Sequence, residues 1–298
     1  VGNRQIGRRA LLGTAGLGAL AGGAWWLGPE RLESGRDAVL EGAREAFQDV
    51  RDSLPDAPDA AAPAGPRPAP QVVRASQLTP YRQLAGSQLR YEVDNVPARF
   101  PMDAAFASQL DASLRSHWQA RRWGVPGQLS CLGTHRQAPA EQASSWHHAG
   151  RAFDLAAVRT TAGRDLVSCR FDRWGNGPDH AAQAGAYWRI AATLHRDFAY
   201  VLTYLYDSAH HDHIHLDNGL SGSERSRFTR SRVQVQAVQA ICTYVWDRPV
   251  ELSGRWDSAT ADATDEVLAG IGAGGRLGRI TRSQDAWHTF LSATARHP

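Results

Sequence analysis

The stretch Ser145-Trp146-His147-His148-Ala149-Gly150-Arg151-Ala152-Phe153-Asp154, answered further along by Asp212-His213-Ile214-His215-Leu216-Asp217, decides how this chain is read. Zinc takes imidazole and carboxylate ligands tetrahedrally, and a catalytic ion keeps one position open for water. His147, Asp154 and His215 would fill three corners of such a site. Gly150 lets the backbone turn between the first two, so one hairpin-like segment delivers both. Strand parity agrees: Ala152, Asp154 and Ala156 share one face, with Phe153 and Leu155 on the other. In 213–217, His213, His215 and Asp217 share a face while Ile214 and Leu216 point to the core. Asp212, just ahead of that strand, is the candidate base that takes a proton from water and passes it to a leaving amine. His213 is the candidate hydrogen-bond donor to the developing oxyanion.

The pattern Ser-x-His-x-x-Gly-x-Ala-x-Asp followed by Asp-His-x-His resembles zinc D-alanyl-D-alanine carboxypeptidases and related cell-wall endopeptidases. These form the lysostaphin, D-Ala-D-Ala metallopeptidase and sonic hedgehog group. The version in the bacterial extensin-like C-terminal domain is similar to His210-His211-Asp212-His213-Ile214-His215-Leu216-Asp217, and the resemblance covers residues 85 to 220. It implies zinc ligation by His147, Asp154 and His215, and base and transition-state roles for Asp212 and His213. Ser145 and Gly150 would hold the loop, with Asp217 in a supporting place. The sequence departs from the extensin-like pattern where Cys131 is followed by Leu132 rather than arginine, and where the helix ending near Phe198 has no cysteine. The family's disulfide is therefore not carried over. Arg136 is either a stand-in for the missing arginine, forking onto a carboxylate or oxyanion, or a surface residue.

Three rival readings frame this one. The run His210, His211, His213, His215 alone would suit a nonspecific metal-binding tract, but the first motif argues against that. A cell-wall binding protein with a purely structural zinc fits the same motifs, because folds outlive their chemistries. A membrane-anchored scaffold without metal leaves the histidine pattern unexplained. His148 and His210 are read as lying around the site or at the surface.

The 298 residues carry a net charge of +3, and every basic residue other than histidine is arginine. No basic stripe with interleaved aromatics appears, so a nucleic-acid partner is excluded. Residues 1–29, with Arg8-Arg9 leading into an uncharged stretch from Ala10 to Gly28, resemble a twin-arginine export signal. An uncleaved membrane anchor is the alternative, and either places the rest outside the cytoplasm. Residues 30–84 read as a charged helix and a Pro/Ala-rich linker that acts as a semi-rigid tether. Cys131, Cys169 and Cys242 allow at most one internal bridge; Cys131 with Cys169 is the pair to test first, and buried free thiols are the alternative.

Residues 85–222 read as an α+β catalytic domain: an antiparallel sheet with helices, carrying the zinc site. Asp103 caps a helix whose Phe106, Leu110, Leu114 and Trp118 form an apolar stripe. Strands are expected near 127–132, 150–158 and 165–171, a helix over 180–197, then strands over Ala199 to Tyr206 and at His213. Residues 232–295 form a small helical C-terminal domain. Its repeated Gln (Gln239), its Ser253-Gly254-Arg255-Trp256 loop and its Trp287 resemble a three-helix peptidoglycan-binding domain. The alternative is a helical cap packed on the first domain. The expectation is an exported, Zn2+-dependent peptidase acting on peptidoglycan or its stem peptides.

Overall fold

The computed structural model describes residues 70–138 and 145–298. The segments read as an export signal or membrane anchor, a charged helix and a tether lie, up to residue 69, outside the described residues. Among the described residues no helix is long and apolar enough to cross a membrane.

Among the described residues nine strands and seven α-helices follow in chain order: β1 Thr79–Tyr81, β2 Gln83–Leu84, β3 Ser87–Tyr91, β4 Phe100–Met102, α1 Ala104–Ala120, β5 Gln128–Cys131, β6 Ala152–Arg159 and β7 Asp165–Ser168. Then come α2 Phe171–Trp174, α3 His180–Asp197, β8 Tyr200–Leu202, β9 Ile214–Asp217, α4 Arg232–Tyr244, α5 Ser258–Gly270, α6 Gly274–Leu277 and α7 Gln284–Arg296. The main sheet has the order β2-β3-β5-β6-β9-β8, with β7 pairing β6 beyond the end of β9, while β1 and β4 form a separate pair.

The sheet is not wholly antiparallel as expected: β3 and β5 run parallel. A parallel neighbour needs a crossover, and the chain supplies one through β4 and α1. Helix α1 begins as its sequence predicts, with the Asp103 carboxylate accepting from Phe106 N–H at 2.9 Å. Phe106, Leu110, Leu114 and Trp118 are buried. The strand expected to run to Tyr206 stops at Leu202, because Tyr206 N–H turns back to the Thr203 carbonyl. His213 stands just before β9 rather than in it.

The folded chain starts before residue 85. Residues 70–78 lie along the first motif, with Val73 N–H donating to the His148 carbonyl at 2.8 Å and the Val73 carbonyl 2.8 Å from His135 Nε2. β1 and β2 follow in the stretch expected to be linker.

The three cysteines are buried thiols, none of them in a disulfide. Cys131 pairs with Leu155 on one edge of β6, while Cys169 N–H bonds the Ala156 carbonyl from the β7 side. With β6 between them their Cα atoms stand about two strand spacings apart, roughly 10 Å, beyond the reach of a disulfide.

Helix α3 is the spine: it packs on α1 and β7, and on α4 and α7 of the C-terminal segment. A continuous set of buried apolar residues runs from Leu84 in the sheet through Trp188 to Trp287 and Leu291. The helical segment thus forms a further layer on α3, sharing its core.

Candidate metal centre

The first motif folds as a short 3-10 turn, Trp146–Ala149, capped at both ends. The Ser145 hydroxyl accepts from His147 N–H at 3.3 Å, and Gly150 closes the turn at φ +65°. That left-handed conformation favours glycine. The chain then enters β6, where Asp154 stands directly opposite His215 of β9. The β6–β9 register thus sets the carboxylate beside one imidazole, and the capped turn brings the second.

Three donor groups converge. His147 Nε2 lies 3.2 Å from His215 Nδ1 and 3.3 Å from Asp154 Oδ2, and His215 Nδ1 lies 3.0 Å from Asp154 Oδ1. All three residues are buried, and they form a group able to hold a metal ion. The second nitrogen of His215 faces Asp217 Oδ2 at 3.4 Å, and the other oxygen of Asp217 accepts from Gly219 N–H at 2.8 Å. A carboxylate behind a ligand histidine fixes its tautomer and raises its basicity.

The electrostatics favour a cation here. Burial alone would lower the pKa of His215, but hydrogen bonds from its ring to the carboxylates of Asp154 and Asp217, reinforced by their charges, raise it to about 9. Burial opposes ionisation of Asp154, yet the charges and ring nitrogens of His147, His213 and His215 hold its carboxyl well below the usual carboxylate range. A pocket that stabilises a proton this strongly on nitrogen also stabilises a metal in its place, and a two-imidazole, one-carboxylate set suits zinc. The residues therefore fit the ion.

His213 and Asp212 form a dyad at the edge of the trio. His213 Nδ1–H donates to Asp212 Oδ1 at 2.7 Å, and its Nε2 stands 3.4 Å from Asp154 Oδ1. His213 is thus the nearer of the two to the trio, with Asp212 one hydrogen bond behind it. Arg136 donates its backbone N–H to the His147 carbonyl at 3.2 Å. Its guanidinium acts on His148, whose pKa is lowered first by burial and then by that charge.

His210, read from the sequence as lying around the site or at the surface, stands beside the trio: its ring lies 5.1 Å from His213 and 6.1 Å from His215, and its Nδ1 bonds Asp207 at 2.6 Å. Arg170 is the feature that local sequence did not point to. It forks onto Asp172 at 2.8 and 2.6 Å, contacts buried Glu92 at 3.3 Å, and is stabilised as a cation in part by the charge of Asp212. No local pattern links it to a residue so far along the chain.

Aromatic packing fixes the entrance to the first motif. The Trp146 ring lies against Gly219, where any Cβ would fall 2.0 Å from the indole, and the Arg151 guanidinium covers it at 4.5 Å. Arg151 also holds Asn218 at 2.8 Å, and Asn218 reaches Gln109 of α1 at 2.9 Å.

Residues 112–230, which contain both motifs, match the family described as extensin-like protein C-terminus. No curated protein and no solved structure matches the chain.

Proposed function

We propose that this chain is an exported zinc-dependent peptidase that hydrolyses peptide bonds in peptidoglycan stem peptides or cross-links. The observation that carries the reading is the buried His147, Asp154 and His215 trio with the Asp212–His213 dyad at its edge. The extensin-like match over 112–230 supports it by spanning every one of these residues. Zinc, when bound, supplies Lewis acidity to a water and to the scissile carbonyl.

The rest falls to side chains of this chain. Asp212 orients His213 and stabilises its protonated form, so that His213 Nε2 can carry a proton between water and the leaving amine, or donate to the oxyanion. Asp217 keeps His215 turned with Nδ1 toward the ligand cluster. Burial of the trio keeps bulk water from screening these charges. Residues 1–29 would direct the enzyme out of the cytoplasm, and the helical segment 232–295 would be its candidate contact with the wall.

Incubating the purified chain with muropeptides and detecting new amine termini by mass spectrometry tests the reading. Asp212→Asn is expected to keep one zinc per chain and lose about 10²–10⁴-fold in turnover. Absence of any cleavage by the zinc-loaded wild type would leave a wall-binding protein with a structural zinc. Full turnover by Asp212→Asn would remove the dyad from the chemistry.

A further inference from the structure

Helix α4 opens the segment that resembles a wall-binding module, yet its first turns face the loop that carries half of the candidate site. Gln236, buried on α4, donates through Nε2 to the Leu205 carbonyl at 2.7 Å. Its Oε1 has no partner among the described residues, so the bond to Leu205 is what anchors this amide. The next residue, Tyr206, is buried in a small cluster with Leu202 of β8 and Val233 of α4. The Arg232 guanidinium lies 5.8 Å from the Tyr206 ring centroid.

From Tyr206 the contacts run straight into the site. Its ring meets the His210 ring edge-on at 5.5 Å. Asp207, the following residue, caps the Ser208–His210 turn and binds His210 Nδ1. His210 in turn packs on His213 and His215. Loop 203–213 has only three strand residues before it in β8 and four after it in β9, so little of its shape is set by the sheet.

We propose that Gln236 is a positioning residue of the candidate metal centre, and that α4, through Gln236, Val233 and Arg232, holds the 203–213 loop so that His210 and the Asp212–His213 dyad face the ligand trio. The helical segment is then a working part of the hydrolytic unit. A partly buried carbonyl robbed of its donor seeks another partner, and the loop moves to find one. Supporting contacts of this kind act on a site by geometry, because small displacements of proton-carrying groups cost rate.

The activity arm of this inference rests on the proposed function, whereas its structural arm does not. The test uses the full chain carrying Gln236→Met, which keeps the volume and removes the N–H donor. Histidine side-chain resonances are recorded by NMR in metal-free and zinc-loaded protein. The expected result is displaced ring signals for His210 and His213, with the His117 signal, on the α1–α3 side, unchanged. On muropeptides, kcat should fall about 10-fold with KM unaltered. Should Gln236→Met not fold, Arg232→Gln over the Tyr206 ring gives the same readout. His210 and His213 signals that superimpose on the wild type in a folded variant would overturn the proposal. A wild type that cleaves nothing would overturn the peptidase reading alone, since the ring signals still report on the loop.

Discussion

At the scale of single residues, Asp217 shows how much of the candidate centre lies behind its proposed ligands. It touches His215 on the side away from the cluster and is itself held by Gly219 N–H. Carboxylates in this position orient the imidazole and strengthen it as a donor, and their loss typically costs 10–100-fold in metal affinity. Asp217→Asn keeps the shape and removes the charge. We expect zinc affinity, measured by competition with a chromophoric chelator, to drop by about that factor. His147→Ala, which removes one of the three proposed ligands outright, should leave no stoichiometric zinc. Equal zinc affinity in Asp217→Asn and the wild type would mean that His215 needs no such support.

The elements place these residues through local rules joined by a few long bonds. The 3-10 turn of the first motif is bounded by a hydroxyl cap and a left-handed glycine, so His147 enters at a defined angle. β6 and β9 set Asp154 and His215 side by side through register. Helix α1 reaches the same corner through Gln109 and Asn218. Its own start depends on the Asp103 cap, which satisfies an N–H that the helix leaves unpaired. Asp103→Ala is expected to cost about 1 kcal/mol, lowering Tm by roughly 2–4 °C in calorimetry, while leaving zinc stoichiometry at one per chain. An unchanged Tm would show that tertiary packing alone sets the start of α1.

In the molecule as a whole, α3 binds the sheet to the C-terminal helices and buries two histidines. His195 has neither ring nitrogen partnered among the described residues, and burial lowers its pKa to about 3. His117 bonds Thr193 at 2.8 Å, and burial, followed by the charges of Arg121, Arg196 and Arg189, lowers it to about 3 as well. Both are neutral in the folded chain, whereas an unfolded histidine protonates near 6.5. Between those values the unfolded state binds more protons, so stability is fully present above about pH 6.5 and falls as the pH drops toward about 3. Each histidine contributes a slope of up to about 1.4 kcal/mol per pH unit. His195→Leu removes one of them and should flatten the acid limb by about one proton, read from urea unfolding of the metal-free chain between about pH 7 and pH 4. A parallel pair of curves would contradict the neutral, buried state of His195.

What the amino-acid order determined by itself is whatever obeys short-range rules. The cap at Asp103, the 180–197 helix, the turn at Gly150 and the alternation around Asp154 and His215 follow from propensity, chirality and pleat, each acting over a few residues. Tertiary structure alone decided the rest. The parallel β3–β5 pair, the 70–78 stretch along the first motif, the separation of Cys131 from Cys169, the charge of Arg170 near Asp212 and the bond from Gln236 to Leu205 all join residues far apart in the chain. Their partners are chosen by which surfaces the shared core brings together, and that choice leaves no periodic trace in the sequence.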